Sequence, residues 1–224
     1  MRPRGASGNP GPSGPRSRYT SGMARPPKAR PPYHHGDLRA ELVRSACESL
    51  REGDMPTLRE LSARVGVSHA AAYRHFPNKV ALLAEVARVG FLRFAERLAS
   101  ASAPCTTTET RLVALGRAYL TFAFDDPGMF RLMWSHDLKP FDAHPGLDEA
   151  ARRSLDVLLG TFDGLGGDAE RQRAALVAWS TIHGYTTLAL ERQLEGPFAL
   201  VSASEGMGLV ARGILDGVIS RARR

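Results

Sequence analysis

Cysteine is nearly absent from this 224-residue chain, which has only Cys47 and Cys105. Two are too few for a disulfide framework, and their separation is not that of metal ligands, so neither a stapled secreted scaffold nor a zinc module is indicated. Long apolar runs are missing too. No stretch approaches the roughly 20 consecutive apolar residues of a bilayer span, and no apolar segment follows the first arginines as in a secretion signal. The chain therefore reads as cytoplasmic, with no membrane partner. Strand-like alternation is almost absent, leaving an all-α reading. Acids are missing from one region only: residues 1–32 carry Arg2, Arg4, Arg16, Arg18, Arg25, Lys28 and Arg30 and no Asp or Glu. All of the net charge of +7 sits there, because the remaining chain holds 23 basic and 23 acidic residues.

That leader is dense in Pro, Gly and Ser and poor in large apolar residues, so it is expected to be a disordered basic arm with affinity for polyanions. Met23 offers an alternative start that would shorten it. Catalytic signatures are lacking as well. No P-loop or dinucleotide fingerprint occurs, and no cofactor or metal is implied. Ser135, His136 and Asp137 are consecutive, which is the wrong spacing for a triad because neighbouring helical side chains do not face one another. Asp125 and Asp126 precede Pro127 and Gly128, where a turn is expected. An enzyme is not indicated.

What is present is helical periodicity. Asp37 can cap a helix that repeats Leu38, Leu42, Val43, Ala46 and Leu50 and stops at Gly53. Thr57 and Glu60 have capping-box spacing, so a second helix starts at Leu58 and ends at Gly66. Ser68 caps a third, with only Gly66 and Val67 left for the turn. Two helices joined so tightly cross steeply, as in a helix-turn-helix. On the third helix Ala72 and Phe76 face inward, while His69, Ala70, Ala71 and Arg74 fall on the outer side or at the N-terminal end. Small residues there let a helix seat deeply in a major groove, and the donors around them suit base edges and phosphates. Alanines are also plain helix formers, but that leaves unexplained their position after a Gly-x-Ser turn and before Tyr73, His75 and Lys79.

The segment TLRELSARVGVSHAAAYRHFPNKVALL resembles the DNA-binding segment of the tetracycline-repressor (TetR) family of bacterial transcriptional regulators. YHHGDLR ahead of it is similar to the opening of one branch of that family, and Trp179, His183 and Gly184 in WSTIHG match the Trp, His-Gly signature of a C-terminal domain found with that branch. The resemblance implies base-reading positions at Arg59, His69, Ala70, Ala71 and Arg74. It implies phosphate contacts at Thr57, Tyr73, His75 and Lys79. Family members often have Gly, Thr and Leu in place of Ala70, Ala71 and Ala72, and Glu in place of Val80, so base preference does not carry over. The adjacent His34 and His35 are read as phosphate-contacting or packing groups, since no further ligand stands at zinc-site spacing.

The expected organisation is a disordered basic leader (1–32), a three-helix helix-turn-helix DNA-binding domain (33–79) and a helical ligand-binding and dimerisation domain (80–224). A linker helix runs from Asn78 to about Ser100, and breaks at SAPCTTT, DDPG, KPFDAHPG, GLGGD and EGPFA separate five further helices. Apolar and aromatic residues of the body indicate a pocket for a small apolar or aromatic effector, with Trp134, Trp179, His183, Phe122 and Tyr119 as its candidate contacts. The last two long helices, with Gly206, Gly213 and Gly217 along the final one, are expected to form a two-fold homodimer that reads a near-palindromic operator. The expected function is a sequence-specific repressor released by an effector. The alternative is a sequence-indifferent architectural DNA binder driven by the basic arm; the near balance of 7 basic and 6 acidic residues from Tyr33 to Lys79 speaks against it.

Overall fold

The computed structural model describes residues 38–196 and 202–222. The leader at 1–32, the His34 and His35 pair and the Asp37 cap lie outside the described residues. Everything described belongs to one compact unit, residues 35–224, and contains helices and no strands.

Helix α1 (Leu38–Arg51) buries Leu38, Leu42, Val43, Ala46 and Leu50, the stripe expected from their spacing. At Thr57 the hydroxyl accepts from the Glu60 backbone N–H (3.2 Å), and the Glu60 carboxylate accepts from the Thr57 N–H (2.8 Å). This reciprocal box starts α2 (Leu58–Val65). Gly66 ends it in the left-handed region (φ 82°), where a side chain is disfavoured. After Val67, Ser68 accepts from the Ala71 N–H and begins α3 (His69–His75).

Asn78 caps α4 (Lys79–Ser102), which at 24 residues is about 36 Å long and buries Leu82, Val86, Phe91, Phe94 and Leu98. Helices α5 (Thr108–Asp125), α6 (Pro127–Met133), α7 (Leu147–Gly160), α8 (Asp168–Leu190) and α9 (Ala203–Ala222) complete the body. α7 and α5 lie along α4, while α9 packs on α5 and α8.

One local expectation is corrected. DDPG is not a free turn. One Asp126 oxygen accepts from the Met129 N–H (3.0 Å), Pro127 takes the first helical position, and α6 begins there. The other Asp126 oxygen pairs with Arg51 at the end of α1 (3.3 Å), which ties the first helix to the body. Ser135 likewise serves as a cap: its hydroxyl accepts from the Asp137 N–H (3.2 Å) at the start of a 3-10 turn, His136–Leu138.

Candidate nucleic-acid interface and an aromatic cavity

The outer surface of α2 and α3 follows from how little of α3 is buried. Ala72 is its one buried residue, and Phe76 just beyond it is also buried. The Arg39 guanidinium lies over the Phe76 ring, 4.9 Å from its centroid. With that edge held, Arg59, His69, Ala70, Tyr73, Arg74, His75 and Lys79 are all exposed, and Ala71 is half-buried. Tyr73 is 53% exposed, an unusual position for an aromatic ring with nothing to cover it. Most arginines of the described residues hold a carboxylate, whereas Arg59 and Arg74 form no ion pair. Thr57 is exposed, but its hydroxyl is engaged in the capping box. The nine positions thus lie on α2, α3 and the first turn of α4, whose N-terminal N–H groups favour a phosphate beside Lys79.

Glu85 fixes this head to the long helix. Its carboxylate accepts from Arg39 of α1 (3.1 Å) and from Arg88 one turn along α4 (2.7 Å). Burial alone would raise its pKa, but the hydrogen bonds from Arg88 and Arg39 outweigh burial and hold it below the ordinary glutamate range. The sequence reading passed over this residue. The signal was there, as an acid inside the apolar stripe of α4 with an arginine three residues on.

In the body, a cavity of about 310 Å³ opens between α4, α5, α7 and α8. Phe94, Leu115, Tyr119, Trp134, Trp179 and Ile182 contribute to its walls. The two indoles touch, with centroids 5.7 Å apart, and the cavity lies beside them. Of the five candidate effector contacts, Trp134, Trp179 and Tyr119 meet at this cavity and two do not. His183 stands behind it, its Nδ1 sharing a 2.7 Å hydrogen bond with the Tyr119 hydroxyl. Burial raises the Tyr119 hydroxyl pKa and lowers that of the His183 imidazole, so both are neutral near pH 7. Phe122 turns to a second hollow of about 420 Å³, lined by Arg51, Arg93, Arg97 and Asp125, among others. That lining is too charged for an apolar ligand. Sequence reasoning missed Lys139 and Phe141, because KPFDAHPG read only as a break between helices, and Asp148 and Arg152 of α7, which tertiary packing brings to the same cavity.

On α8 and α9 a row of apolar side chains meets solvent: Leu176 (59% exposed), Val177 (47%), Leu188 (47%) and Leu209 (54%). The glycines of α9 divide. A Cβ on Gly206 would lie 2.0 Å from the Tyr185 hydroxyl, so that glycine is required by packing within the chain. A Cβ on Gly213 or Gly217 would meet nothing within 4 Å. Among the described residues no helix is long and apolar enough to cross a membrane.

Two family models match: "Bacterial regulatory proteins, tetR family" over residues 42–86, and "Tetracyclin repressor-like, C-terminal domain" over residues 112–205. A solved structure from Rhodococcus sp. RHA1, described as a protein with unknown function, is 33% identical, covering 84% of this chain and 98% of that one with a TM-score of 0.71. A possible TetR family transcriptional regulator from Streptomyces coelicolor A3(2) shares the fold at 22% identity, covering 83% of this chain and 100% of that one (TM-score 0.62). The nucleoid occlusion factor SlmA of Shewanella frigidimarina is 30% identical over 146 residues, 63% of this chain and 66% of that protein. SlmA of Photobacterium profundum is 34% identical over 96 residues, 41% of this chain and about half, 46%, of that protein.

Proposed function

The chain belongs to the tetR family of bacterial regulatory proteins and is a DNA-binding transcriptional regulator, and from that premise we propose that it is a repressor released when a small apolar or aromatic molecule fills the Trp134 and Trp179 cavity. What supports the proposal is helix α6. Trp134, in the cavity wall, caps its C-terminal end, and at its N-terminal end Asp126 pairs with Arg51 and Gly128 abuts Leu50 of α1. A ligand beside Trp134 therefore presses on the same short helix that supports α1. The test is operator binding, followed by fluorescence anisotropy on DNA flanking the protein's own gene, with and without compounds that change the tryptophan emission. Such compounds are expected to raise the operator Kd at least tenfold; occupancy of the cavity with no change in Kd overturns the release step.

Residues 33–79 form the DNA-reading part in this proposal, and residues 80–224 the effector and dimer part. Arg59, His69, Ala70, Ala71 and Arg74 meet base edges, and Thr57, Tyr73, His75 and Lys79 meet phosphates. One recognition helix reads only a few base pairs, so two heads on a near-palindromic site are needed, and two-fold pairing of chains supplies them. The exposed Leu176, Val177, Leu188 and Leu209, with open space at Gly213 and Gly217, form the surface for it, two helices from each chain.

A second reading is favoured by one finding, the similarity to nucleoid occlusion factors. In it, the chain binds DNA architecturally through the basic segment at 1–32. Deleting residues 1–22 separates the two: an architectural binder loses nearly all affinity, whereas a repressor keeps its preference for its operator over random DNA.

A further inference from the structure

The chemical class of the ligand follows from which polar groups around the cavity already have partners. Most polar side chains of the lining already have a partner. The Tyr119 hydroxyl shares a hydrogen bond with His183 (2.7 Å), the Ser154 hydroxyl donates to the Ala151 carbonyl (2.7 Å), and one Asp148 oxygen accepts from Arg152 (2.5 Å). Two donors stand without such a partner. The Trp134 indole N–H is buried with no acceptor, and an orphaned buried donor costs free energy until something accepts from it. The Lys139 ammonium has no carboxylate partner and lies over the Phe141 ring, 3.5 Å from its centroid.

Lys139, Asp148 and Arg152 are the charged residues of the lining. All three reach solvent: Lys139 is exposed, and the Asp148 and Arg152 side chains are 47% and 65% exposed. They therefore stand at the mouth. Arg152 is paired with Asp148 and also feels Asp156, so Lys139 is the cation of that mouth with no acid on it, above walls of Phe94, Leu115, Trp179 and Ile182. The volume of about 310 Å³ is at the small end for a ligand pocket.

Building on the effector reading above, we propose that this cavity binds a small amphipathic carboxylic acid, its apolar body against the two tryptophans and its carboxylate at Lys139 on the rim. An anion there replaces the weak ring contact of Lys139 with a charge-assisted hydrogen bond. An amine of the same shape faces the unpaired Lys139 with like charge, while Asp148 and Arg152 hold each other.

The 224-residue chain carries an internal reporter, because its two tryptophans, Trp134 and Trp179, both line the cavity. Octanoate, octan-1-ol and octylamine share one tail and differ in head, and none absorbs where indole is excited. Titrated into the protein at pH 7.5, where octanoate is ionised, the acid is expected to bind at least tenfold more tightly than the alcohol, and the amine more weakly than either. Lys139→Met, at an exposed position, is expected to erase the preference for the acid over octan-1-ol; Lys139→Arg is expected to keep it. Equal affinity for acid and alcohol, or a preference that survives Lys139→Met, overturns the anionic head and leaves the cavity reading standing. Preference for octylamine overturns it in favour of Asp148. Binding of none of the three overturns both the ligand class and the effector cavity.

Discussion

Gly128 sits at the second position of α6, where that helix meets the end of α1. A Cβ there would lie 2.4 Å from the Leu50 carbonyl oxygen, 3.1 Å from its carbonyl carbon and 3.3 Å from its Cβ. Relief to an ordinary contact of about 3.5 Å requires a movement of roughly 1 Å. The obstacle is backbone. Leu50 is 3% exposed, and its carbonyl accepts from the Gly53 N–H (3.1 Å), so neither side chain rotation nor local fraying clears the space. Overpacking of this kind costs about 1–3 kcal/mol, while alanine regains about 0.5–1 kcal/mol of backbone entropy in a helix. Gly128→Ala is therefore expected to lose about 1–2 kcal/mol net, a fall in Tm of roughly 2–8 °C for a chain of this size. Gly90 in α4 is the control. Its added Cβ would approach Met129 Sδ (2.5 Å) and Met133 Sδ (2.9 Å), which are ends of flexible side chains that can turn aside. Gly90→Ala is expected to stay within about 1 kcal/mol of the parent protein. Urea unfolding followed by circular dichroism measures both variants. If Gly128→Ala is as stable as the parent, or Gly90→Ala is the more damaging, α6 and α1 do not bear on each other as described.

Arg74→Ala is expected to weaken operator binding by about 1–3 kcal/mol and relax preference at one base pair, whereas Lys79→Ala weakens operator and random DNA alike; anisotropy on the two DNAs distinguishes these, and equal losses for both variants would reverse the assignment. Glu85→Gln is expected to cost about 1–2 kcal/mol, since it removes the charge that accepts from Arg39 and Arg88. Because the folded pKa of Glu85 lies below its unfolded value, its contribution is complete above about pH 4.3 and is lost as pH falls through the lower folded pKa. The stability difference between parent and Glu85→Gln should therefore shrink in acid, and one that stays constant down to about pH 2 counts against the network. Gly213→Leu, at a position open within one chain, is expected to leave each subunit folded while shifting sedimentation toward monomer and removing operator binding; an unchanged dimer would locate the interface elsewhere.

The head was legible because its signals are local. The Thr57 and Glu60 box, the left-handed Gly66 and the Ser68 cap each act within one turn of chain, so spacing alone identified α2, the turn and α3. Body helices were legible for the same reason, through their breaks. The cavity was only partly so. Trp134, Trp179 and Tyr119 are large aromatic residues and drew notice, but that His183 stands behind Tyr119 and Phe122 lines the charged hollow depends on helix rotation and crossing, which no short window contains. Lys139 and Arg152 reach the same mouth from a loop and from α7, a relation created only by tertiary packing. Asp126 was misread because a Pro-Gly pair marks a turn and a helix start equally well, and the partner that distinguishes them, Arg51, is 75 residues earlier in the chain.

Helix α3 is anchored by a single buried methyl group, that of Ala72, together with its caps and the neighbouring Phe76. Apart from the half-buried Ala71, its remaining positions are exposed, so substitutions there are close to neutral for folding. The surface chemistry of this helix can consequently diverge after gene duplication without a compensating change in the core, and a laboratory library randomised at His69, Ala70 and Arg74 should remain largely folded. The same short helix that makes the head easy to recognise also makes it easy to retarget.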